Sequence, residues 1–295
     1  GYVVESSEVS DRFLYDVRKT VSDLLLANYA GHMRELAHRQ GMRLTIEAYG
    51  DTTVDELAYA GCADEPMGEF WSWPPYGAGN TLIEMSGSAH VYGRPIIGAE
   101  AFTAGDGERW LYHPGSIKAM GDWAFSLGIN RFVFHRYALQ PWRDRRPGMS
   151  MGPWGLHYER PQTWWEQTGP WHRYLSRCQY LLQRGTHVAD VLAMAPEGAA
   201  RSFNPPPSLY RNGYKADGCS ADVVLNGMTV KDGFLVAPSG TRYRLLLLPG
   251  MEAATPELLR SLLRLANQGA IIVGNVPDRS PSLRDYPQCD AETAR

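Results

Sequence analysis

The chain has 295 residues, of which 44% are hydrophobic and 21% are charged, and its formal net charge is −3. At about 100–200 residues per domain, this length predicts two domains, or one large domain with an appendage. Lys and Arg (29) nearly balance Asp and Glu (32), which argues against binding to nucleic acid or an anionic membrane through clustered basic charge. The nine tryptophans and sixteen tyrosines are most simply core residues, although aromatic side chains also line sugar-binding clefts.

The four cysteines stand far apart and show no C-x-x-C spacing, so the sequence predicts neither a zinc ribbon, nor a thioredoxin-type motif, nor a disulfide scaffold. They are Cys62, Cys178, Cys219 and Cys289. The longest obvious apolar run, Leu245–Leu248, is far shorter than the ~18 residues of a membrane span. Because the first residue is Gly1 and not Met, the sequence indicates a piece of a longer protein and says nothing about a signal peptide.

The first predicted element is a long helix over 11–40, on which apolar residues recur mostly at i, i+3, i+4 and i+7. Ser10 or Asp11 would cap this helix, and Gly41 would end it. The apolar positions are Phe13, Leu14, Val17, Val21, Leu24, Leu25, Met33 and Leu36. The short apolar run 43–49 then predicts a buried strand that ends at Glu47.

Helices and short apolar strands alternate along the next part of the chain. The pattern predicts helices at 53–60, 80–92, 114–127 and 162–183, and strands at 67–71, 95–102 and 131–137. Such alternation predicts a parallel sheet with helices outside it. Three of the four strands carry a glutamate toward the carboxyl end and the fourth carries a histidine, and in (β/α)₈ barrels these ends build the active site. Since a full barrel needs eight strands, residues 1–187 are predicted to be its C-terminal half, strands 5–8.

Residues 188–295 predict a second α/β domain. Strands are expected at 190–194, 243–248 and 270–274, with a short helix at 217–225. A helix with Thr255 as N-cap and Pro256 at its first position runs to Asn267 and separates the last two strands. This βαβ unit predicts a doubly wound, flavodoxin-like domain of glutamine-amidotransferase-like type, incomplete in this chain. Because no G-x-G-x-x-G follows any strand, the domain is interpreted as structural.

Three strand-associated glutamates are the main candidates for chemistry. Glu47 lies in an apolar strand, where a carboxylate must be paired, hydrogen-bonded or metal-bound, so it either serves function or holds a buried Arg or amide. Glu69 stands beside Trp71 and Trp73, which suits the binding of a sugar ring, although it could be a surface acid beside core tryptophans. Glu100, between small residues that leave room for a substrate, is the strongest candidate. Paired carboxylates hydrolyse glycosidic bonds, so the pattern suggests a glycosidase without excluding a barrel that uses them for metals.

Further polar and aromatic groups follow the predicted strands. His135, Gln140 and Trp142 follow the fourth strand and predict a polar clamp for sugar hydroxyls, although His135 alone would more simply be a hydrogen-bonded core residue. Tyr49 follows the first strand and is a further candidate for substrate binding. The Gly- and Trp-rich stretch 147–165 is predicted to be a loop over the cleft mouth, with the tryptophans at its end as packing residues.

Several strings taken together resemble glycoside hydrolase family 106, the α-L-rhamnosidases. They are EAYG at 47–50, MGEFW at 67–71, AEAFT at 99–103, GINRFVFH at 128–135, QPW at 140–142 and RCQYLL at 177–182. The resemblance covers nearly the whole chain, including the trailing domain after the family's barrel. It implies inverting hydrolysis of terminal α-L-rhamnose from plant polysaccharides or glycosides, a bound calcium ion, and a periplasmic or extracellular location.

The resemblance also implies roles for individual residues. Glu100 matches the general base, and Glu69 matches a carboxylate associated with calcium. Glu47 is a candidate second ligand, because calcium prefers several oxygen donors. The family's general acid follows an earlier barrel strand, so it is expected upstream of residue 1, on a missing N-terminal half-barrel, and the 295-residue chain alone is expected to be nearly inactive. Two alternatives stay open: a retaining, β-galactosidase-like barrel glycosidase with Glu100 as nucleophile, and a non-catalytic carbohydrate-binding protein.

Overall fold

The computed structural model describes residues 5–50, 53–72, 79–142 and 144–294 of the chain. The helices are α1 Ser7–Leu25, α2 His32–Arg39, α3 Glu56–Cys62, α4 Asn80–Tyr92, α5 Pro114–Ser126, α6 Gly169–Leu182, α7 Pro207–Arg211, α8 Ala221–Asn226, α9 Pro256–Asn267 and α10 Gln288–Thr293. The strands are β1 Thr45–Glu47, β2 Glu65–Trp71, β3 Gly98–Thr103, β4 Arg131–Phe134, β5 Val191–Met194, β6 Ala216–Cys219, β7 Thr229–Lys231, β8 Phe234–Val236, β9 Arg242–Tyr243, β10 Leu245–Leu248 and β11 Ile271–Gly274. The fold is therefore mixed α/β, as the alternating pattern predicted.

The first sheet has the strand order β1-β2-β3-β4, and all neighbouring strands are parallel. Helices α4 and α5 connect β2 to β3 and β3 to β4, so the predicted parallel sheet is confirmed. Its core is aromatic: the ring of Phe102 packs edge-on against Phe70 at 4.9 Å and against Phe132 at 5.4 Å between centroids. Glu47 ends β1 as predicted, whereas Glu69 and Glu100 lie inside β2 and β3, before the strand ends.

The second parallel sheet has the order β11-β10-β5-β6. The predicted unit of two parallel strands joined by α9 is confirmed, and the hydroxyl of Thr255 accepts a hydrogen bond from the backbone N–H of Leu258 at 3.2 Å. Leu192, Leu246 and Leu248 are buried in this half of the core. The predicted domain boundary at 187/188 falls between α6 and β5, where the chain has neither helix nor strand.

The predicted helix at 217–225 is wrong in its first part. Residues Ala216–Cys219 form β6, and α8 starts only at Ala221. Asp217 and Gly218 are poor strand formers. They are nevertheless buried and paired with Leu192 and Ala193 of β5, so tertiary pairing overrides the local preference.

A small antiparallel sheet, in the order β7-β8-β9, was missed by the sequence analysis. Its hairpin turns at Asp232 and Gly233, which both have positive φ, 52° and 76°. An Asp-Gly pair with this backbone is a strong signal of a two-residue hairpin. The flanking strands are only three residues long, too short for the alternation of apolar and polar residues to stand out.

The predicted long helix is divided in the structure. Helix α1 begins at Ser7 with the hydroxyl of Ser6 as cap, and a π-helical turn at Leu26–Gly31 joins it to α2. The apolar stripe is exposed, with Phe13 and Leu24 each 56% accessible. Helix α1 is instead attached through its polar side: the guanidinium of Arg12 is buried and donates to the carboxylate of Asp290 and to the carbonyl of Ser280.

Three other predicted helices are observed, two of them with shifted ends. The one over 80–92 is observed over the same residues, and the one over 114–127 ends one residue earlier. The one over 162–183 begins only at Gly169, because Pro170, which lacks an N–H, fits the first turn and would break a helix interior. Among the described residues, none of the helices has the length and apolar character needed to cross a membrane.

Candidate active site

Three glutamates meet on one face of the first sheet. Glu69 and Glu100 are paired in register on β2 and β3. Glu47 pairs with Met67, two residues before Glu69, and side chains two residues apart on a strand share a face. Parallel pairing therefore brings together three carboxylates that are separated by dozens of residues in sequence.

The electrostatic state of Glu47 reflects this crowding. Although Glu47 as a residue is exposed, burial of its carboxyl raises its pKa, and the negative charges of Glu100 and Glu69 and a hydrogen bond with Glu100 raise it further. Tyr49 is hydrogen-bonded to Glu69, and the pKa of its phenol is raised, first by burial and then by the charges of Glu69 and Glu47. The cleft is thus strongly negative, and it favours either a proton or a cation between its carboxylates.

Glu100 is held by two neighbours. The hydroxyl of Thr103 donates to Oε1 of Glu100 at 2.5 Å, and Nδ1 of His135 lies 3.5 Å from the same oxygen. That nitrogen is buried and forms no hydrogen bond among the described residues. The sequence analysis predicted His135 but missed Thr103, although AEAFT ends at this residue. The side chain of Glu100 is 22% exposed.

The aromatic side chains divide into two groups. The ring of Trp71, 38% exposed at the end of β2, packs edge-on against Trp154 at 5.8 Å. Trp154 belongs to the loop after β4, so this loop returns to the strand ends as predicted. Trp164 and Trp165 pack around Tyr158 in the core, which confirms them as packing residues. The candidate Trp73 lies outside the described residues.

Gln140 and Trp142 contact other residues than the three carboxylates. Gln140 is buried, and its amide donates to the carbonyl of Met149 and accepts from the N–H of the same residue, at 2.8 and 2.9 Å. Both functional groups of the amide are thereby used to brace the loop. Trp142 is half exposed, with the guanidinium of Arg145 5.4 Å from its ring centre.

Two buried ion pairs beneath the loops were missed by the sequence analysis. Nδ1 of His157 lies 2.5 Å from Oε2 of Glu108, and the indole of Trp110 stacks on the imidazole at 3.8 Å. Arg136 donates to Glu159 at 2.9 Å. The first pair joins the loop after β3 to the loop after β4, whereas the second lies within the loop after β4. These residues lie outside the helices and strands, so no periodic pattern in the sequence indicates their pairing.

Comparison with known proteins identifies the family. Residues 1–294 match the family model of glycoside hydrolase 106, described as alpha-L-rhamnosidase. The chain belongs to this family. The resemblance seen in the short sequence strings is therefore confirmed.

Individual relatives carry the names of several glycosidases. The chain is 38% identical over its whole length to a protein of Formosa agariphila named "Putative beta-glucuronidase", of which it covers 25%. It superposes on a rhamnosidase from Novosphingobium sp. PP1Y with a TM-score of 0.86 and 30% identity, over 98% of this chain and 29% of that one. A β-galactosidase from Marinomonas ef1 is similar in fold alone, with a TM-score of 0.52 and 15% identity, over 92% of this chain and 45% of that one. The chain thus spans only about a quarter of the first two relatives.

The glutamates of this family 106 chain offer oxygen donors of the kind that Ca²⁺ prefers. Burial and the charges of Glu100 and Glu69 raise the pKa of Glu47, and among the described residues no Lys or Arg forms an ion pair with it. In the part of the chain that the structure describes, the one group of three His, Cys, Asp or Glu ligand atoms within 4.8 Å of one another lies elsewhere, at His90, His187 and Asp217. Glu47, Glu69 and Glu100 are therefore not arranged, among the described residues, as a compact three-ligand metal site.

Proposed function

We propose that this chain is part of an inverting α-L-rhamnosidase in which Glu100 is the general base. The observation that carries the proposal is the convergence of Glu47, Glu69 and Glu100 on one face of the sheet in a chain of family 106. We interpret β1–β4 as strands 5–8 of a (β/α)₈ barrel, and the second parallel sheet as an incomplete flavodoxin-like domain. The strand order and the rhamnosidase superposition support this interpretation.

In the proposed reaction, Glu100 removes a proton from a water molecule as that water attacks the anomeric carbon. A carboxylic acid on the opposite side protonates the oxygen of the leaving alcohol, so the bond to rhamnose breaks with inversion. Thr103 donates to Oε1 of Glu100 and would fix the orientation of the carboxylate that receives the proton. We propose that the acid belongs to the N-terminal half-barrel, on a part of the polypeptide outside these 295 residues.

Calcium is proposed to be held by Glu69, with Glu47 as a second ligand. When bound, the ion would orient sugar hydroxyls and offset the repulsion between the carboxylates. Tyr49, hydrogen-bonded to Glu69, would hold that carboxylate in position. The exposed ring of Trp71 would contact the apolar face of the sugar. His135, beside Glu100, would donate to a sugar hydroxyl or to the water.

The charge of the cleft favours a neutral sugar over an acidic one. Among the described residues, no Lys or Arg forms an ion pair with Glu47, Glu69 or Glu100, and His135 is the only basic group that contacts them. A glucuronide would bring a further carboxylate against this cluster of glutamates, which would repel its negative charge. Rhamnose carries a methyl group in place of that carboxylate. We therefore favour a rhamnoside as the substrate, from a plant polysaccharide or glycoside outside the cytoplasm.

Replacement of Glu100 tests this function in the complete protein. We expect Glu100→Gln to lower kcat on an aryl α-L-rhamnoside by about 10²–10⁴-fold, because the attacking water loses its base. Glu166→Gln, an exposed glutamate outside the cleft, is the matched control and should keep full activity. Equal activity of Glu100→Gln and the native protein would remove Glu100 from the mechanism.

Two further measurements separate the alternatives. Inversion predicts β-L-rhamnose as the first product seen by NMR, and a retained α-anomer would instead favour Glu100 as a nucleophile. Chelation should abolish activity and added Ca²⁺ should restore it, whereas unchanged activity would contradict the metal. Sugar binding without hydrolysis of any aryl glycoside, β-glucuronides included, would favour a carbohydrate-binding protein.

A further inference from the structure

We propose that His90, His187 and Asp217 form a binding site for a transition-metal ion, with Zn²⁺ as its occupant, at the junction of the two parallel sheets. The three side chains come from helix α4, from the segment between α6 and β5, and from β6. Their ligand atoms lie within 4.8 Å of one another. The site is distinct from the carboxylate cleft and uses none of its residues.

Close backbone packing places two of the ligands. A Cβ on Gly87 of α4 would lie 2.6 Å from the backbone nitrogen of Gly218 in β6, so helix and strand approach as closely as two glycines allow. His90 follows Gly87 by three residues and lies on the same helix face. Asp217 directly precedes Gly218. The helix therefore presents the imidazole of His90 to the carboxylate of Asp217, with Nδ1 and Oδ1 3.0 Å apart.

Asp217 is arranged as a ligand with a supporting hydrogen bond. Its Oδ2 accepts from the hydroxyl of Tyr243 at 2.8 Å, so that oxygen is occupied within the core. Its Oδ1 faces both imidazoles, and Nε2 of His187 lies 3.6 Å from it. Two atoms that bind one tetrahedral Zn²⁺ stand about 3.3 Å apart, between the two observed separations. A carboxylate fixed by a second hydrogen bond is the arrangement that orients metal ligands in proteins.

His187 supplies the unpartnered group at the site. Its Nε2 is buried yet has no hydrogen-bond partner among the described residues. A buried polar atom without a partner is costly, and an ion would satisfy it. Lys215 also lines the adjoining cavity. Its ammonium donates to the carbonyl of Ser126 and is not a partner of His187.

Binding requires one movement of the His187 ring. The two imidazoles stack at 3.6 Å with only 9° between their planes, and parallel rings cannot both point a lone pair at one ion. His187 lies outside any helix or strand, and the adjoining cavity measures about 550 Å³. Its ring can therefore turn while His90 and Asp217 stay in place. On binding, the proton of His90 moves from Nδ1 to Nε2.

The donor set determines which ions fit. Two imidazoles and one carboxylate suit Zn²⁺, Co²⁺, Ni²⁺ and Cu²⁺, whereas Ca²⁺ and Mg²⁺ prefer oxygen ligands. Three protein ligands leave a coordination position for water on the cavity side. Because the ligands come from both halves of the molecule, a bound ion would link α4 to the second sheet and would stabilise their junction.

Metal titration of the chelator-treated protein tests the site. We expect one Co²⁺ per chain to give visible d–d absorption, Zn²⁺ to displace it, and Zn²⁺ to raise the melting temperature. His187→Ala should weaken Zn²⁺ binding at least 10-fold and abolish the rise in melting temperature. His32→Ala, an exposed histidine of α2, is the matched control and should bind like the native protein.

The melting temperatures of the metal-free variants show whether each variant is folded. Loss of metal binding can then be told apart from loss of folding. His187→Ala should melt near the native temperature without metal, because its side chain is partly exposed and makes no hydrogen bond among the described residues. A native protein that binds no Zn²⁺ below about 100 µM would overturn the proposal. So would a folded His187→Ala variant that binds Zn²⁺ as tightly as the native protein. Neither result bears on the proposed function of Glu100.

Discussion

Glu100 illustrates how much a single hydrogen bond can contribute at the residue scale. A general base must present one oxygen to the attacking water, and the 2.5 Å hydrogen bond from Thr103 occupies the other. His135 stands beside the same oxygen without bonding to it. In the proposed reaction, Thr103 would therefore be a positioning residue, which acts through the orientation of Glu100.

Replacement of this threonine tests the positioning role. We expect Thr103→Val in the complete protein to lower kcat by about 10- to 100-fold, because a hydrogen bond to a charged group contributes about 1.5–3 kcal/mol. KM should stay nearly unchanged, since Thr103 is not proposed to touch the sugar. Thr103→Ser keeps the hydroxyl and should restore most of the rate. If the Val and Ser variants were equally active in steady-state kinetics, the hydrogen bond would have no catalytic role.

At the scale of the element, helix α4 connects the two halves of the molecule. Glu84, Gly87 and His90 recur every three residues and all face the second half. Glu84 accepts from the backbone N–H of Phe203 at 2.8 Å, Gly87 meets Gly218, and His90 meets Asp217. The rest of the helix is almost wholly buried as well. A helix buried on this many sides needs a small residue wherever a backbone approaches it.

The closest of these contacts can be tested with one methyl group. Gly87→Ala would place its Cβ 2.6 Å from the backbone of Gly218, and backbone cannot move aside as a side chain can. Overpacking of this kind costs about 1–3 kcal/mol, so we expect a lower melting temperature. The control, Gly169→Ala at the start of α6, meets no atom nearer than 3.4 Å and should melt like the native protein. Equal melting of both variants would contradict the close packing of α4 on β6.

Titration of Glu84, on the same helix, should make the stability of the folded protein depend on pH. Burial raises its pKa to about 8 from an ordinary value of 4.5, and the charges of Glu56 and Asp55 act in the same direction. The folded protein thus holds a proton on Glu84 that the unfolded chain releases above about pH 4.5. The stabilisation is full below that pH and is lost as the pH rises toward about 8.

Urea unfolding between pH 5 and pH 8 measures this contribution. The unfolding free energy of the native protein should decline from pH 5 to pH 8. We expect this decline to be smaller by about a few kcal/mol in Glu84→Gln. Asp55, whose pKa burial raises to about 6, titrates in the same range and acts on Glu84 through its charge, so the difference between the two curves includes the interaction of these groups. Parallel curves for the native protein and the variant would show that Glu84 does not titrate in this range.

On the scale of the whole molecule, the chain corresponds to only part of the relatives that it matches. It spans 25% and 29% of two relatives. It nevertheless contains the cluster of Glu47, Glu69 and Glu100, the loop after β4 and two packed parallel sheets. The apolar stripe of α1 and α2 is exposed, whereas the polar side of α1 is attached to the C-terminal region through Arg12. The proposed inverting reaction would need an acid across the sugar from the base, in addition to these carboxylates.

Assays of the chain and the complete protein side by side test this incompleteness. We expect the folded 295-residue chain, checked by circular dichroism, to release no aryl alcohol from the α-L-rhamnoside that the complete protein hydrolyses. Loss of general acid catalysis alone lowers a rate by about 10²–10⁴-fold. Comparable turnover by the chain would place the acid within residues 1–295. Glu47, with its raised pKa, would then be the first candidate.

The sequence by itself determined what depends on neighbours along the chain. The bounds of α4, the Thr255 cap of α9, the parallel alternation and the candidates Glu47, Glu69, Glu100 and His135 all follow from local pattern or from family strings. Periodicity and capping are local properties, so a sequence displays them directly.

Only the tertiary structure decided which distant residues meet. It placed the apolar stripe of α1 at the surface, turned Asp217 from a predicted helix into a strand, and used the amide of Gln140 to brace a loop. It also paired Glu108 with His157 and brought His90, His187 and Asp217 together. Such contacts depend on strand register and helix packing between segments far apart in sequence, and these arise only when the sheets assemble.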